Sequence, residues 1–188
     1  MSEGIPAAAA TESPPQWERP TLLVKPGEPR AKLLLLGDAP AVIRALPPDI
    51  GIPVHPGTVV RTAGLGVCLW LRPNQRLLLL SASGGAGGAV QTAAKIRATG
   101  APDAWVLDAG ARYVEFDIVG RDAGAVLSAG CSLDLRPAAF PVDTCAQTRF
   151  DRIPVLLFRT SSERFEIFAE RPLSSHLWRW LCRAAADV

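Results

Sequence analysis

The chain carries one pattern of apolar and polar residues twice. A stretch that begins at Val67, VCLWLRPNQRLLLLSA, and another that begins at Val155, VLLFRTSSERFEIFAE, share this pattern. Each has an apolar run, a polar turn, an arginine (Arg76 or Arg164) and a second apolar run. Apolar runs separated by a short polar turn are typical of β-hairpins. The repetition restricts the chain to folds made of two similar halves.

The similarity continues upstream of both hairpins. The segment LLLLGDAPAVIRAL (33–46) resembles EFDIVGRDAGAVLSAG (115–130). Both patterns predict a strand that ends at a glycine, followed by a short helix. Asp38 and Asp122 stand where an aspartate would cap that helix at its N-terminus.

Downstream, both copies lead into segments with helical periodicity, at 86–98 and at 173–186. Each half therefore reads strand, helix, loop, strand, strand, helix, and the loop has room for another strand. The hairpin turns at 73–75 and 160–162 indicate antiparallel pairs rather than a doubly wound parallel sheet. We predict an α+β fold of two related strand–helix–strand–strand–helix halves with mainly antiparallel sheets.

The domain organisation follows from composition. Residues 1–18 are rich in Ala, Pro, Ser and Glu and predict a flexible tail. Residues 19–188 then form one domain of two pseudo-repeats, at about 30–100 and 104–188.

Charge excludes several classes of partner. Lys and Arg number 20 against 18 Asp and Glu, a net charge of +2, which favours neither nucleic acid nor a membrane surface.

The N-terminal sequence has no basic start followed by an apolar run, so it does not resemble a secretory signal. No apolar run approaches the length of a membrane span. We expect a cytoplasmic protein.

No self-contained catalytic or metal site emerges from the residue types. The nearest two cysteines are 14 residues apart, and neither histidine lies near Cys131 in sequence, so the cysteines are expected to be free, packed thiols. His55 is expected in a turn and His176 on the last helix, each without a second metal ligand nearby. The glycine-rich segment 83–90 lacks the spacing of a phosphate loop and predicts a plain connector. The cysteines are Cys68, Cys131, Cys145 and Cys182.

The stretch GCSLDLRPAAFPVDTCAQTRF, residues 130–150, carries a resemblance to a known family. It resembles the gamma subunit of heterotetrameric sarcosine oxidase, which has a Gly-Cys-x-Leu-Asp-Leu-x-Pro run, then Phe-Pro, then Cys-Ala-Gln-Thr. The similarity covers most of residues 31–186. The matching residues are Gly130, Cys131, Leu133, Asp134, Leu135, Pro137, Phe140, Pro141, Cys145, Ala146, Gln147 and Thr148.

This resemblance implies an accessory role. The family is similar to the folate-binding aminomethyltransferase fold, itself a pair of related α+β halves. In such complexes the partner alpha, beta and delta subunits are implied to carry FAD, FMN, NAD and tetrahydrofolate. They oxidise sarcosine to glycine and hydrogen peroxide, and folate captures the methyl carbon. The resemblance implies no catalytic, cofactor-binding or metal-binding residue in this chain.

Two departures from the family pattern leave alternatives open. Where the aminomethyltransferases carry acidic residues for folate chemistry, this chain has only Asp151. The first hairpin reads Arg-Pro-Asn-Gln-Arg (72–76) instead of Gly-Pro-Asp-Glu-Trp. The alternatives are a related complex that oxidises another N-methyl or secondary amino acid, and a stand-alone folate-dependent one-carbon transferase.

Eight residues are candidates for contacting a partner subunit or for shaping a loop. Most lie in the motif stretch or the divergent hairpin, and one is a tryptophan off the apolar face of the last helix. They are Asp134, Arg136, Phe140, Gln147, Arg149, Arg72, Arg76 and Trp180.

Overall fold

The computed structural model of the protein describes residues 16–46, 50–81, 91–94 and 102–188. The helices in these ranges are α1 (Ala39–Ala45), residues 91–94, α2 (Ala123–Ser128) and α3 (Ser174–Asp187), with a 3-10 turn at Arg171–Leu173 before α3. The strands are β1 (Trp17–Arg19), β2 (Leu22–Pro26), β3 (Lys32–Leu36), β4 (Val59–Thr62), β5 (Gly66–Arg72), β6 (Gln75–Leu80), β7 (Trp105–Asp108), β8 (Tyr113–Val119), β9 (Thr144–Phe150), β10 (Ile153–Ser161) and β11 (Arg164–Glu170).

The strands form two antiparallel sheets. Sheet I has the order β1-β2-β8-β11-β10-β9, and sheet II has the order β4-β5-β6-β3-β7. Each described half runs strand, helix, three strands, helix, so β4 and β9 are the additional strands for which the predicted loops had room. The predicted α+β class with antiparallel sheets is confirmed.

The two halves exchange a strand. β2, N-terminal to the first half, pairs with β8 in sheet I, while β7, at the start of the second half, pairs with β3 in sheet II. Each sheet thus contains a strand from outside its own half, and the two halves cannot separate without breaking backbone hydrogen bonds.

The two predicted helix caps differ. The Asp38 carboxylate accepts a 2.7 Å hydrogen bond from the backbone N–H of Ala41, as predicted for α1. Asp122 makes no side-chain cap on α2 because its backbone is helical rather than extended. Its carboxylate instead accepts a hydrogen bond from the Thr21 hydroxyl and holds the β1–β2 turn. The prediction of a cap at Asp122 is wrong.

In the structure, the second strands of the two hairpins correspond to each other with a shift of one residue from the alignment read in the sequence. Trp70 lies opposite Arg76, and Arg159 lies opposite Phe165, each pair next to a register shift. Gln75, and not Arg76, therefore occupies the position of Arg164. The turns are residues 73–74 and 162–163.

The elements stack in four layers, helix, sheet, sheet, helix. Helices α2 and α3 cover the outer face of sheet I, while α1 and residues 91–94 cover the outer face of sheet II. A third apolar cluster fills the space between the sheets. Its buried members are Leu34, Val67, Leu69, Leu71, Leu77, Leu79, Ala109, Cys145, Leu156, Phe158 and Phe168.

Part of the sequence-based interpretation lies outside the described residues. This holds for residues 1–15 of the predicted tail, for the glycine-rich segment 83–90 and for most of the helical segment 86–98. Of the rest of the tail, Trp17 and Glu18 belong to β1.

Candidate functional site

The motif loop is held by a local ion pair. The backbone N–H and the Nε of Arg136 donate hydrogen bonds to the Asp134 carboxylate at 3.1 Å and 2.9 Å. These bonds hold the pKa of Asp134 down to about 2. Both side chains are exposed, so this pair fixes the turn and still presents its charges at the surface.

The rest of the loop is anchored by a residue that the sequence did not single out. Arg159 on β10 is buried, and its Nη1 donates to the carbonyls of Leu135 and Phe140 at 3.2 Å and 2.8 Å. Its remaining nitrogens donate to Ser161 and Ser162 in the hairpin. The Phe140 ring is buried in the core between sheet I and its helices, so Phe140 shapes the loop from inside.

Arg76 likewise anchors backbone carbonyls in the first half of the chain. It is 1% exposed, and it donates hydrogen bonds to the carbonyls of Gly37, Pro53 and Pro73. Burial lowers its pKa. Arg76 is therefore an internal brace, which excludes it as a direct contact to another subunit. The two hairpins use equivalent braces from opposite strands.

Trp180 packs on the start of the motif loop. Its indole meets the Phe150 ring edge-to-face, with centroids 4.4 Å apart. A Cβ at Gly130 would lie 2.7 Å from Trp180 Cη2, closer than side chains approach. Gly130 is thus a site of close packing, and Trp180 is half-buried against it.

The cysteines have the environment of packed thiols. All four are free. The Cys145 Sγ donates to the Trp70 carbonyl at 3.3 Å, and the Cys131 Sγ lies 3.6 Å from the Thr148 hydroxyl. Burial raises the pKa of Cys68 and of Cys145 to about 12, so both thiols are protonated at neutral pH.

The histidines lie where the sequence indicated. His55 is exposed in a turn, where its carbonyl accepts a 2.7 Å hydrogen bond from the Thr58 hydroxyl. His176 is exposed on α3.

Three of the candidate residues come together in one cleft. Arg72 from the β5–β6 hairpin and Gln147 and Arg149 from β9 line a space of about 660 Å³ between the ends of the two sheets. We call it the inter-sheet cleft. Arg112 and Glu170 also line it and pair with each other at 2.8 Å. Its other residues are Leu71, Gln75, Tyr113, Ser132, Thr148, Pro154, Val155, Leu156, Phe168 and Ala169.

A buried ionic cluster lies elsewhere between the sheets. Glu115 and Asp117 on β8 alternate with Phe116 and Ile118 of the outer face, which points the two carboxylates inward. The Arg30 Nη2 lies 2.7 Å from the Glu115 carboxylate and also binds Glu166. The alternation of acidic and apolar residues in β8 was the available signal, and our sequence analysis missed it.

The cluster is built as an ion-pair network. The carboxylates of Glu115, Asp117 and Glu166 offer oxygens within 4.8 Å of one another, a spacing that a metal ion could use. A cationic side chain already binds each of the three carboxylates: Lys32 lies 3.4 Å from Glu115, and Arg164 lies 2.8 Å from Asp117 Oδ2. Asp117 Oδ1 has no hydrogen-bond partner among the described residues. The network joins the N-terminal segment of sheet II to sheet I.

Burial and attraction to oppositely charged neighbours shift the pKa values in the cluster in opposite directions. Burial raises the pKa of Glu166 and of Asp117, and the facing arginines oppose that rise. Burial would lower the pKa of Arg30, but its attraction to Glu115 and Glu166 outweighs burial and raises it. Arg30 is the cation that Glu115 and Glu166 share.

The comparison with protein families shows to which family the chain belongs. Residues 37–187 match the model of the sarcosine oxidase, gamma subunit family. The chain belongs to this family. Its curated gamma-subunit relatives include one from Corynebacterium sp. (strain P-1), 32% identical over 79% of this chain and 68% of the relative. Another, from Arthrobacter sp., is 29% identical over 73% of this chain and 65% of the relative, so the chain spans about two thirds of their length.

Solved structures agree with the gamma-subunit fold. A chain of the heterotetrameric sarcosine oxidase from Corynebacterium sp. U-96 superposes with a TM-score of 0.78 and 24% identity, covering 88% of this chain and 84% of that one. Aminomethyltransferase T of the glycine cleavage system from Bartonella henselae superposes with a TM-score of 0.58 and 13% identity over 84% of this chain and 44% of that one. The expected likeness to the aminomethyltransferase fold is confirmed.

None of the helices that the structure describes is both long and apolar enough to cross a lipid bilayer.

Proposed function

We propose that the chain is the non-catalytic gamma subunit of a cytoplasmic, heterotetrameric sarcosine oxidase. Alpha, beta and delta subunits complete the complex and carry FAD, FMN, NAD and tetrahydrofolate. They oxidise sarcosine to glycine and hydrogen peroxide and transfer the methyl carbon to folate. The observation that carries this proposal is the family match over residues 37–187, together with the fold shared with a chain of a heterotetrameric sarcosine oxidase.

The environment of the reactive groups supports a structural role for this chain. Cys68 and Cys145 are held as protonated thiols by burial. Glu115 and Glu166 both face Arg30. Groups engaged in this way stabilise the fold, and a nucleophile or general base would need to be available to a substrate.

Asp151 supports the same conclusion for folate chemistry. It sits at the β9–β10 turn with φ 54°, and its N–H donates to the Gly130 carbonyl at 2.6 Å. The one acidic residue that this segment offers is thus a turn residue.

Subunit contacts are proposed for the exposed candidates. Asp134 and Arg136 present a fixed pair of charges on the motif loop, while the charged Arg72 and Arg149 and the neutral amide of Gln147 line the inter-sheet cleft. Arg76, Phe140 and Trp180 support these surfaces from within.

The test is co-purification from the native cell. The chain is expected to elute with flavin-bearing subunits, whose absorbance near 450 nm it lacks when expressed alone. Recovery of the chain as a lone monomer, with those subunits in other fractions, would contradict the proposal.

Two further measurements separate the alternatives. Calorimetric titration of the isolated chain with tetrahydrofolate is expected to give no heat of binding, and micromolar affinity would instead favour the one-carbon transferase. Turnover of the purified complex with sarcosine and with other N-methyl amino acids identifies the substrate. Faster turnover of another amine would favour the related complex.

A further inference from the structure

We propose that the inter-sheet cleft is the docking site for an acidic segment of a partner subunit, whose carboxylates bind Arg72 and Arg149. The inference rests on the proposed function and adds to it the place and the chemistry of one subunit contact.

The first observation is an excess of positive charge. Arg72, Arg112 and Arg149 line the cleft against the single carboxylate of Glu170, which leaves an excess of two positive charges (three minus one). Arg112 and Glu170 satisfy each other at 2.8 Å. The guanidinium groups of Arg72 and Arg149 make neither a hydrogen bond nor an ion pair with any residue that the structure describes.

Four arginines elsewhere in the chain have partners, whereas the side chains of the exposed Arg44, Arg152 and Arg183 have none among the described residues. Arg30 and Arg164 bind carboxylates, and Arg76 and Arg159 bind backbone carbonyls. A guanidinium is a planar fork that suits a carboxylate with two parallel hydrogen bonds. Two unpaired guanidinium groups at one cleft are therefore complementary to two carboxylates.

The second observation is that the cleft is placed on rigid elements. Cys145 on β9 points into the core between the sheets, and Gln147 and Arg149 follow on the same face of the strand. Both consequently point toward the gap between the sheets. Pro154 on β10 lies opposite Arg149, so β9 is held by its neighbour at this point. Arg72 ends β5 across the gap.

The third observation is the mixed lining. Leu71, Leu156 and Phe168 come from the apolar cluster between the sheets, and burial raises the pKa of the nearby Tyr113 hydroxyl, which stays a neutral hydrogen-bond donor. An apolar floor with a charged rim is the composition of a protein–protein contact.

Exposure favours a protein segment as the occupant. Arg72, Gln147 and Arg149 are all exposed, so a ligand that reaches them stays at the surface of this chain. A segment belonging to a second subunit would cover these groups and bury the rim. Its binding would fix the orientation of the two subunits, as electrostatic complementarity does at interfaces.

The experiment uses the full chain co-expressed with the other subunits of its complex. The double variant Arg72→Glu with Arg149→Glu reverses the charge of the cleft, and Arg44→Glu with Arg183→Glu is a matched control at exposed helical positions. We expect the cleft variant to weaken assembly by roughly tenfold or more, because like charges then face each other. The control is expected to assemble as the wild type does.

Two checks keep the result unambiguous. Thermal unfolding of the isolated variants must match the wild type, since neither arginine side chain has a partner among the described residues. A photo-crosslinking residue at Gln147 is expected to label a partner segment that contains Asp or Glu.

Several outcomes would overturn the inference. These are normal assembly of the cleft variant, a crosslink only to a segment without acidic residues, and no crosslink to a partner. A fourth is stabilisation of the isolated chain by citrate that the double variant abolishes while assembly is unchanged, which would assign the cleft to a free carboxylate. If the wild type itself fails to assemble with the flavin subunits, the proposed function fails instead, so the two failures are distinguishable.

Discussion

The buried guanidinium of Arg159 donates a 2.8 Å hydrogen bond to the carbonyl of Phe140, across 19 residues of chain. This bond ties the motif loop to strand β10 of sheet I. The loop that identifies the family is thus held in shape by a residue outside its recognisable motif. Arg76 makes the corresponding bonds in the first half.

Arg159→Met is expected to lower the free energy of unfolding by about 3 kcal/mol. The methionine fills the space but leaves the carbonyls of Leu135 and Phe140 without a donor, and each buried unpaired acceptor costs about 1–3 kcal/mol. Urea unfolding measures the change. Arg152→Met, at an exposed turn position, is the control and is expected to change stability by less than about 0.5 kcal/mol. Equal stability of the two variants would show that Arg159 is no brace.

Gly130→Ala is expected to destabilise the chain by about 1–3 kcal/mol, because its Cβ would meet the Trp180 and Phe150 rings at 2.7 Å and 3.1 Å. Gly124→Ala is the matched control in helix α2, where a Cβ meets nothing within 4 Å. Alanine is the better helix former, so the control is expected to stabilise by up to about 1 kcal/mol. Thermal unfolding followed by circular dichroism compares the two, and a stabilising Gly130→Ala would refute this packing.

Arg30→Met is expected to cost about 3–5 kcal/mol at pH 7, since it leaves Glu115 and Glu166 buried without their shared cation. Burial already raises the pKa of Glu166, and in the variant Arg30 no longer opposes that rise. A raised carboxyl pKa means that the folded state binds protons more readily, so the cost is expected to shrink as the pH falls from 7 to 4. Lys25→Met, whose ammonium lies 3.9 Å from Asp117 and is partly exposed, should cost less than about 1 kcal/mol. Denaturant unfolding at several pH values tests this, and a cost independent of pH would argue against the network.

Thiol titration is expected to separate the cysteines. Cys68, Cys131 and Cys145 are buried and Cys182 is half-buried on α3, so only Cys182 should react with a thiol reagent in the folded chain at pH 8. Burial raises the pKa of Cys182 as well, which predicts a rate slower than that of a free thiol. All four should react in urea. More than one fast thiol in the folded chain would contradict this burial pattern.

Asp134→Ala is expected to weaken assembly of the complex without lowering turnover in the complexes that do form. The substitution releases Arg136 from the turn and removes one of two fixed surface charges. The pKa of Asp134 is lowered to about 2, so the pair is retained above pH 4 and is lost only as the pH falls toward 2. A pull-down at pH 5 and pH 7 with an activity assay checks both points, and lost turnover in a fully assembled complex would contradict the structural role.

Contacts between residues close together in the chain could be predicted from the sequence. The apolar runs on either side of the two turns predicted antiparallel hairpins, and Asp38 predicted its own helix cap, because the interacting groups lie within a few residues of one another. Asp122 in the same sequence context did not cap its helix because its backbone is helical rather than extended, and its carboxylate accepts a hydrogen bond from the distant Thr21 hydroxyl. The motif at 130–148 identified the family without any structure.

What only the tertiary structure decided are the contacts between residues far apart in the chain. Arg30 lies 85 residues from Glu115 and 136 from Glu166, and no local pattern could pair them. The exchange of β2 and β7 between sheets, and the meeting of Arg72 with Gln147 and Arg149 at one cleft, likewise arise only when the two halves pack together. Periodicity and turn chemistry specify each half from nearby residues, whereas the pairing of the halves depends on which side chains can be buried together between two sheets.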